Sequence, residues 1–207
     1  MSAKEQNRLK QDVERLHERD AAYDNASTLD AVKLFVIGML VVWALRLFVF
    51  DVVRINGPSM EPTFFDNYRV FAEKISYCFR EPRRGEIVIA HYPPEVEKES
   101  VIKRVIGLPG ETISIHDGIL YINGQPLDES VYWTEFINMT MEEIMIPEKS
   151  VFLIGDNRNY SLDSRSSHVG PVPYYRIVAR VMLQVWPADQ IKAFKPVEYH
   201  LSGAVGS

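Results

Sequence analysis

One apolar stretch constrains this chain more than any other feature: residues 34–50 read LFVIGMLVVWALRLFVF. Arg46 is the only charged residue in it, and Ala31 and Val32 extend the apolar run at its start. Because an α-helix rises about 1.5 Å per residue, about 17 to 20 such residues span roughly 25–30 Å, the thickness of the hydrocarbon core of a bilayer. Arg46 is close enough to one end for its side chain to reach the headgroups. We predict a transmembrane anchor over residues 30–50.

Two other interpretations of this stretch are weaker. A buried core helix would fit a soluble protein, but no other stretch of the chain is so continuously apolar. A cleavable targeting peptide would have a shorter apolar region followed by small residues at its cleavage site, and residues 48–53 (FVFDVV) contain no such site. We therefore expect the anchor to be retained.

Residues 1–29 are polar and densely charged, which predicts a mobile tail with little apolar surface to bury. Six basic residues precede the apolar stretch, but within about 20 residues of it the balance is only three before to two after. This small excess favours a single-pass protein of the cell membrane with a cytoplasmic tail. The domain formed by residues 51–207 would then lie outside the cytoplasm.

The charge and the cysteine content exclude two broad classes of protein. The chain carries 23 basic and 28 acidic residues, a formal net charge of −5. Nucleic-acid-binding proteins usually carry a basic surplus, so we expect no nucleic-acid partner. Cys78 is the only cysteine, which rules out an intramolecular disulfide and predicts a small buried apolar residue at that position.

After residue 51 the pattern becomes that of a β protein. Four runs are rich in β-branched residues and partly alternate between apolar and polar: 68–71 (YRVF), 85–90 (GEIVIA), 111–115 (ETISI) and 118–122 (GILYI). Turn sequences such as 116–118 (HDG) and 123–124 (NG) separate them. We predict a mostly β protein: an N-terminal transmembrane helix, then an antiparallel β domain, either a sandwich or a partly closed barrel. A helical turn is expected over residues 140–143.

The first segment that could carry chemistry is 57–63 (GPSMEPT), directly after the anchor. One glycine and two prolines restrict this segment to a tight, extended turn. Ser59 on such a turn presents its hydroxyl and its backbone N–H in a fixed direction. Turns of this composition are usually structural, so the segment alone is only a modest signal.

The second segment is 102–111 (IKRVIGLPGE), in which Lys103 has apolar neighbours. If the segment is a strand and Lys103 points inward, burial disfavours the charged amine and lowers its pKa, which is how a lysine becomes a base near neutral pH. An exposed edge-strand lysine that blocks aggregation is the alternative, and without other information it is the more common case.

The third segment is 155–165 (GDNRNYSLDSR), which follows the apolar run 151–154 (VFLI). A solvated loop is the ordinary interpretation of so polar a segment. However, two aspartates and two arginines at this close spacing are typical of a hydrogen-bonded scaffold that holds a loop beneath a site.

Taken together, and in this order behind an anchor, the three segments resemble the bacterial type I signal peptidase family in its single-anchor, Gram-positive-like form. The resemblance covers nearly the whole chain. It implies a hydrolase: a membrane-bound serine endopeptidase that removes N-terminal signal peptides from exported preproteins after a small-x-small sequence, using a Ser/Lys dyad. It implies no cofactor and no metal.

The resemblance also implies roles for individual residues. Ser59 would attack the scissile carbonyl, Lys103 would accept the serine proton, and Ser161 would hydrogen-bond the lysine amine and orient it. The supporting residues would be the ion pair of Asp163 and Arg165, together with Asp156, Asn157 and Arg158. The backbone N–H of Ser59 would stabilise the oxyanion. Relatives from Gram-negative bacteria carry a serine hydroxyl where this chain has Gly57, so a second oxyanion donor stays open.

Shallow apolar pockets for the two small substrate side chains are implied at Val53, Ile55, Met60, Phe64, Val101 and Ile102. Such pockets would reject large side chains by steric overlap, and the extended substrate would pair with an exposed strand. The expected partners are signal peptides and membrane lipid, with the secretion machinery as a further candidate. Residues 125–147, rich in aromatic residues and methionine, would form either a loop packed on its own core or a surface that dips into lipid.

Three other functions remain to be weighed. A Ser-His-Asp triad would need one of five histidines, and none lies in a recognisable motif. A self-cleaving repressor would share the Ser/Lys chemistry but carry a DNA-binding domain instead of an anchor. An inactive membrane-anchored domain that binds exported proteins would not need both Ser59 and Lys103, and a cleavage assay separates it from a protease.

Overall fold

The structure, a computed structural model, describes residues 15, 28–46, 49–130, 136–197 and 199. The chain forms two compact units, residues 1–47 and residues 48–207. The described part of the first unit is essentially one helix, α1 (Thr28–Arg46). All of the strands belong to the second unit.

Helix α1 is apolar around its whole circumference, and none of its residues is buried. Its large side chains are exposed to solvent, for example Phe35 at 70% and Trp43 at 62%. By length and composition the helix is able to cross a membrane. It begins two residues before the predicted start of the anchor, and the predicted end is too late, because Phe50 already belongs to a strand.

The described residues of the second unit form twelve strands and little helix. The strands are β1 (Phe50–Arg54), β2 (Arg69–Glu73), β3 (Ile87–His91), β4 (Ser100–Gly107), β5 (Thr112–His116), β6 (Ile119–Ile122), β7 (Gln125–Pro126), β8 (Met141–Met145), β9 (Ser150–Ile154), β10 (Val172–Pro173), β11 (Ile177–Trp186) and β12 (Lys192–Ala193). The helical elements are a single turn, α2 (Ser76–Phe79), and two 3₁₀ turns, Tyr174–Arg176 and Ala188–Gln190.

The strands form one large curled sheet and one small sheet. The large sheet has the order β1-β2-β11-β3-β4-β9-β10, with β12 added to β11, and the small sheet has the order β7-β6-β5-β8. Every pairing is antiparallel. Bulges in β11, such as the one between Val181 and Leu183, bend the strand and curl the sheet into a half-barrel. The prediction of a mostly β, antiparallel fold is confirmed, as a partly closed barrel rather than a sandwich.

Three groups of buried residues form the core. One lies on the β1 and β2 side of the large sheet and includes Ile55 and Met60. A second joins the small sheet to β9 through residues such as Ile113 and Phe152. The third lies on the opposite face of β3, β4 and β9. The first and third groups flank β4, the strand that carries Lys103.

Two local predictions are wrong. Residues 140–143 do not form a helical turn, since most of them belong to β8, whose Met145 pairs with Thr112 of β5. Cys78 is exposed rather than buried, because it lies on the outer side of α2, a turn that buries none of its residues. Both errors have the same cause, because local composition does not reveal which neighbour an element will pack against.

Candidate active site

Ser59 lies on the turn that follows β1 and is half-buried. The turn is held from both ends. The N–H of Gly57, whose φ is +83°, donates to Oδ1 of Asp66 at 2.9 Å, and the N–H of Asn157 donates to the Ser59 carbonyl at 3.1 Å. A positive φ favours glycine, which explains why this residue opens the turn.

Lys103 lies in the middle of the large sheet. Its strand, β4, pairs with β3 on one side and β9 on the other, so Lys103 is not on an edge strand. The side chain is 4% exposed, and its Nζ lies 2.7 Å from Oγ of Ser59. Sheet pairing therefore brings together two residues that are 44 positions apart in the chain.

Burial is the main influence on the Lys103 amine and lowers its pKa to about 8. Arg165 acts in the same direction, whereas the negative charges of Asp163, Asp156 and Glu97 oppose it. A buried lysine loses hydration that its charged form needs. An appreciable fraction of the amine is consequently neutral near neutral pH and able to accept a proton.

The loop after β9 is organised by an ion pair of Asp163 and Arg165. The guanidinium donates from Nε and Nη2 to the two carboxylate oxygens, each at 2.8 Å, and Nη1 donates to the carbonyl of Arg158 at 2.6 Å. Asp163 also accepts the N–H of Gly155 at 3.0 Å. Burial alone would raise the pKa of Asp163, but the hydrogen bonds and charge of Arg165 outweigh it and hold that pKa below its usual range. The carboxylate stays charged and fixes the loop.

A second buried ion pair ties this loop to β4. Asp156 is fully buried and accepts two hydrogen bonds from Arg104, at 2.7 Å from Nε and 2.5 Å from Nη2. It also accepts the hydroxyl of Thr63, from the Ser59 turn, at 2.5 Å. One carboxylate thus links the turn, the strand and the loop. Neither Arg104 nor Thr63 has a role that the sequence predicts, although both lie inside the segments 102–111 and 57–63.

Gly155 allows the loop to approach the Ser59 turn closely. A side chain at this position would overlap the hydroxyl oxygen of Ser161 and the carbonyl oxygen of Ser59. The Ser161 hydroxyl is buried and lies near enough to Asp163 to favour the carboxylate. Within the described residues it makes no hydrogen bond of good geometry, so the predicted bond from Ser161 to Lys103 is not seen.

Asn157 and Arg158 occupy different environments. The Asn157 side chain donates to the Pro58 carbonyl at 3.2 Å, which braces the residue before Ser59. Arg158 is 1% exposed and pairs with Glu129 at 2.6 Å, away from the Ser59 turn. Asn157 therefore contacts the Ser59 turn directly, whereas Arg158 stabilises the loop through its ion pair with Glu129.

A cavity of about 220 Å³ opens at Ser59 and Lys103. Five of the six residues implied as substrate pockets line it: Val53, Ile55, Met60, Val101 and Ile102. The sixth, Phe64, is fully buried in the core beneath, where its ring packs edge-on against Phe194. The cavity has seven further lining residues that the sequence did not reveal: Arg54, Asn56, Tyr92, Glu97, Glu99, Ser100 and Leu162.

The aromatic and methionine-rich segment 125–147 is only partly described. Its residues 131–135, which include Tyr132 and Trp133, lie outside the described residues. Phe136 and Met145 are each 70% exposed, whereas Met139 packs against the small-sheet core. Lipid contact by this segment stays a prediction.

The chemistry available at this site is that of a serine hydroxyl beside an amine with a lowered pKa. No histidine lines the cavity in the part of the chain that the structure describes. His91 is near Ser100 instead, and both are exposed. A hydroxyl 2.7 Å from a partly neutral amine is suited to nucleophilic attack with the amine as general base.

Known proteins that are similar to this chain include signal peptidases. The family described as signal peptidase, peptidase S26, matches residues 28–186. A signal peptidase I from Leptolyngbya laminosa is 37% identical over 175 residues, which is 81% of this chain and 84% of that protein. A probable signal peptidase I-1 from Synechocystis is 36% identical over 77% of this chain and 83% of its own length. A signal peptidase I from Bacillus caldolyticus is 36% identical over 74% of this chain and 89% of its own length.

The matched region includes the apolar helix α1 and all three segments that form the site. The apolar helix and these relatives together indicate a membrane-anchored protein that processes signal peptides. The extent of the matched region and the level of identity to these relatives establish the family: the chain belongs to the signal peptidase family, peptidase S26.

Proposed function

We propose that this protein cleaves signal peptides from exported preproteins with Ser59 as the nucleophile and Lys103 as the general base. The observation that carries the proposal is the distance of 2.7 Å between Nζ of Lys103 and Oγ of Ser59, in a setting where the lysine is 4% exposed. A buried amine so close to a serine hydroxyl is arranged for proton transfer.

The reaction follows in two halves. Oγ of Ser59 attacks the scissile carbonyl carbon while its proton passes to the neutral Nζ of Lys103. The resulting ammonium gives this proton to the leaving amine as the C–N bond breaks, and the signal peptide is left as an ester on Ser59. Water then attacks the ester, Lys103 accepts a proton from it, and that proton returns to Oγ.

The oxyanion would be stabilised by the backbone N–H of Ser59. Among the described residues this N–H has no hydrogen-bond acceptor, so it is available to a substrate carbonyl. The turn that carries it is braced by Asn157 and Asp156, so the donor is held in place before the reaction. Gly57 supplies no side-chain donor, and its own N–H is taken by Asp66.

Specificity for small side chains follows from the apolar floor of the cavity. Ile55 and Met60 are almost fully buried and Ile102 is 8% exposed, so these side chains form a shallow apolar floor rather than deep pockets. An extended substrate pairing along residues 53–56 would direct alternate side chains towards this floor. Two small residues separated by one other residue fit this spacing.

The membrane topology belongs to the same proposal. We expect α1 to cross the membrane once, with a cytoplasmic N-terminus and the β unit outside. Helix α1 ends at Arg46, and the twelve residues between Arg46 and Ser59 span at most about 40 Å when extended, which limits how far the nucleophile can lie from the bilayer surface. A preprotein whose signal peptide is still in the lipid would present its cleavage site at that height.

The proposal predicts that Ser59→Ala and Lys103→Met each abolish cleavage of a signal-peptide substrate by the full-length protein in detergent. Because the two residues act as one unit, the double variant should be no worse than either single variant. Wild-type turnover by either variant would contradict the assignment. Absence of cleavage by the wild type would instead favour the alternative of an anchored domain that only binds exported proteins.

Denaturation of the same variants separates a catalytic role from a structural one. The folded pKa of Lys103 is lowered from 10.5 to about 8, so at pH 7 the fold carries the cost of a buried charged amine. That cost falls as pH rises above the folded pKa of about 8 and is gone above the unfolded pKa of 10.5. Lys103→Met should therefore keep the free energy of unfolding at pH 7 or raise it by up to about 3 kcal/mol.

A further inference from the structure

The wall of the catalytic cavity on the β4 side carries negative charge, in contrast to its apolar floor. Glu97 and Glu99 lie on the segment that connects β3 to β4, and both line the cavity. Glu97 is half-buried, and its carboxylate accepts the N–H of Glu99 at 3.2 Å, while its own N–H donates to the Pro93 carbonyl at 3.1 Å. Its charge is thereby held at the cavity rather than free to move away.

The positive groups at the cavity do not cancel this charge. Arg54, on the opposite lip, is hydrogen-bonded to the side chain of Asn67. Lys103 is neutral in the form that accepts the serine proton. With Lys103 neutral, the charged residues that line the cavity are one cation, Arg54, and two anions, Glu97 and Glu99. The cavity therefore has a net charge of −1 in the reactive state.

Tyr92 adds an independent observation in the same wall. It follows β3, is 3% exposed and lines the cavity, yet its hydroxyl has no hydrogen-bond partner among the described residues. A buried hydroxyl without a partner is costly and is normally satisfied by protein, water or ligand. The Tyr92 hydroxyl can donate or accept a hydrogen bond, whereas the carboxylates of Glu97 and Glu99 only accept. The wall therefore favours a ligand group that donates hydrogen bonds and carries positive charge.

An extended substrate brings one side chain to this wall. In the small-x-small sequence the two small side chains face the apolar floor, so the middle side chain points to the opposite side, towards the lips of the cavity. We propose that Glu97, supported by Glu99, makes the enzyme prefer preproteins with a lysine or arginine at this middle position. This inference rests on the proposed function, since it assigns a substrate class to the same site.

The wall discriminates against acidic side chains as well as for basic ones. A glutamate at the middle position would face Glu97 and Glu99, whose negative charges would repel its carboxylate. Substrates with an uncharged side chain of similar length at this position, such as glutamine, should have a kcat/KM between those of the basic and the acidic substrates. Because Glu97 and the substrate side chain that would pair with it are partly exposed, the preference is modest and is screened by salt.

The test uses the full-length protein in detergent and three peptides that differ only in the middle residue, which is lysine, glutamine or glutamate. For the wild type we expect kcat/KM to be about two- to five-fold higher for the lysine peptide than for the glutamine peptide. Glu97→Gln should bring that ratio close to one, and Glu97→Lys should reverse the order in favour of the glutamate peptide. Tyr92→Phe should lower kcat/KM for the lysine and glutamine peptides to a similar extent and leave their ratio close to the wild-type value.

Using a ratio separates substrate choice from the chemistry of Lys103. Glu97 is among the charges that raise the pKa of Lys103, but a change in that pKa affects all three peptides equally and cancels. Glu95→Gln is the matched control. It makes the same charge change on the same segment, but Glu95 lines a different cavity, beyond Leu162 and beside His168, so the wild-type ratio should persist.

The outcomes distinguish this inference from the proposed function. Cleavage of the glutamine peptide without a preference for lysine supports the function and overturns the inference. A lysine preference that survives Glu97→Gln unchanged also overturns it. If no peptide is cleaved, both fail. A fall in the wild-type ratio between low and high salt is a supporting result that needs no variant, and a salt-independent ratio counts against the inference.

Discussion

At the scale of single residues, burial is what changes the chemistry of Lys103. In solution a lysine is almost wholly protonated at neutral pH and is a poor base. Here the side chain is 4% exposed, and the resulting loss of hydration lowers its pKa to about 8. The negative charges of Asp163 and Asp156 limit that shift, so the pKa of the amine stays near physiological pH rather than falling further.

The pH dependence of cleavage should report this group. Because the base must be neutral, activity should be low where the lysine is protonated and should rise with pH along a single ionisation with a midpoint near 8. Steady-state kcat/KM measured between about pH 6 and 10 would show the curve. Replacing all five histidines with glutamine should leave its midpoint unchanged. Loss of the alkaline activity in that variant would point to histidine chemistry.

At the scale of elements, one strand supplies both the base and the arginine of the scaffold. Successive side chains of β4 point to opposite faces, so Lys103 reaches Ser59 while Arg104 reaches Asp156. The carboxylate of Asp156 also holds Thr63 of the nucleophile turn. The position of Ser59 relative to Lys103 is therefore set by β4 through a buried ion pair as well as by the turn itself.

The close approach of the loop after β9 predicts a sensitive glycine. In Gly155→Ala the new methyl group would overlap Ser161 and the Ser59 carbonyl, and backbone cannot yield cheaply. We expect a loss of about 1–3 kcal/mol in the free energy of unfolding. We also expect a large fall in kcat, because the overlap displaces the nucleophile turn.

Gly124→Ala is the matched comparison for this variant. Gly124 has a φ of +73° but open space around its Cα, so alanine there strains the backbone without touching the site. It should lower stability and leave kcat at the wild-type value. Equal losses of kcat in the two variants would mean that Gly155 acts through general stability alone.

At the scale of the whole molecule, an apolar helix and a water-facing β unit share one chain. Helix α1 has the length and composition to cross a membrane, and the β unit has its own core of three groups of buried residues. Under the proposed topology, the enzyme meets its substrate where the signal peptide leaves the lipid. The twelve residues between the end of α1 and Ser59 are compatible with that position.

Cys78 provides a direct test of the topology, since it is the only cysteine and is exposed. In sealed right-side-out vesicles, a membrane-impermeant maleimide should label Cys78 without detergent. A second protein, with Cys78→Ser and Ser2→Cys, should be labelled only after permeabilisation. The opposite pattern would place the β unit in the cytoplasm and would remove the basis for signal-peptide cleavage.

Much of the local structure could be predicted from the sequence. Strands β2, β3, β5 and β6 overlap the runs that alternate in polarity, because that alternation is a local property of a strand with one buried face. The two-residue strands β7, β10 and β12 carry no such pattern and exist only through their partners. Residues 140–143 were mistaken for a helical turn because their polar composition does not reveal the pairing of β8 with β5.

The sequence alone determined the apolar span that indicates an anchor, and the β class, because both are encoded in local composition and periodicity. The roles of Ser59 and Lys103 were implied only by the resemblance of three segments, in order, to a known family. The tertiary structure decided whether Lys103 is a base or an edge-strand lysine, since only its place between β3 and β9 buries it. It also decided that Arg104 and Thr63 meet at Asp156, 52 and 93 positions away respectively. Such contacts depend on long-range pairing and on the curl of the sheet, and no local pattern records them.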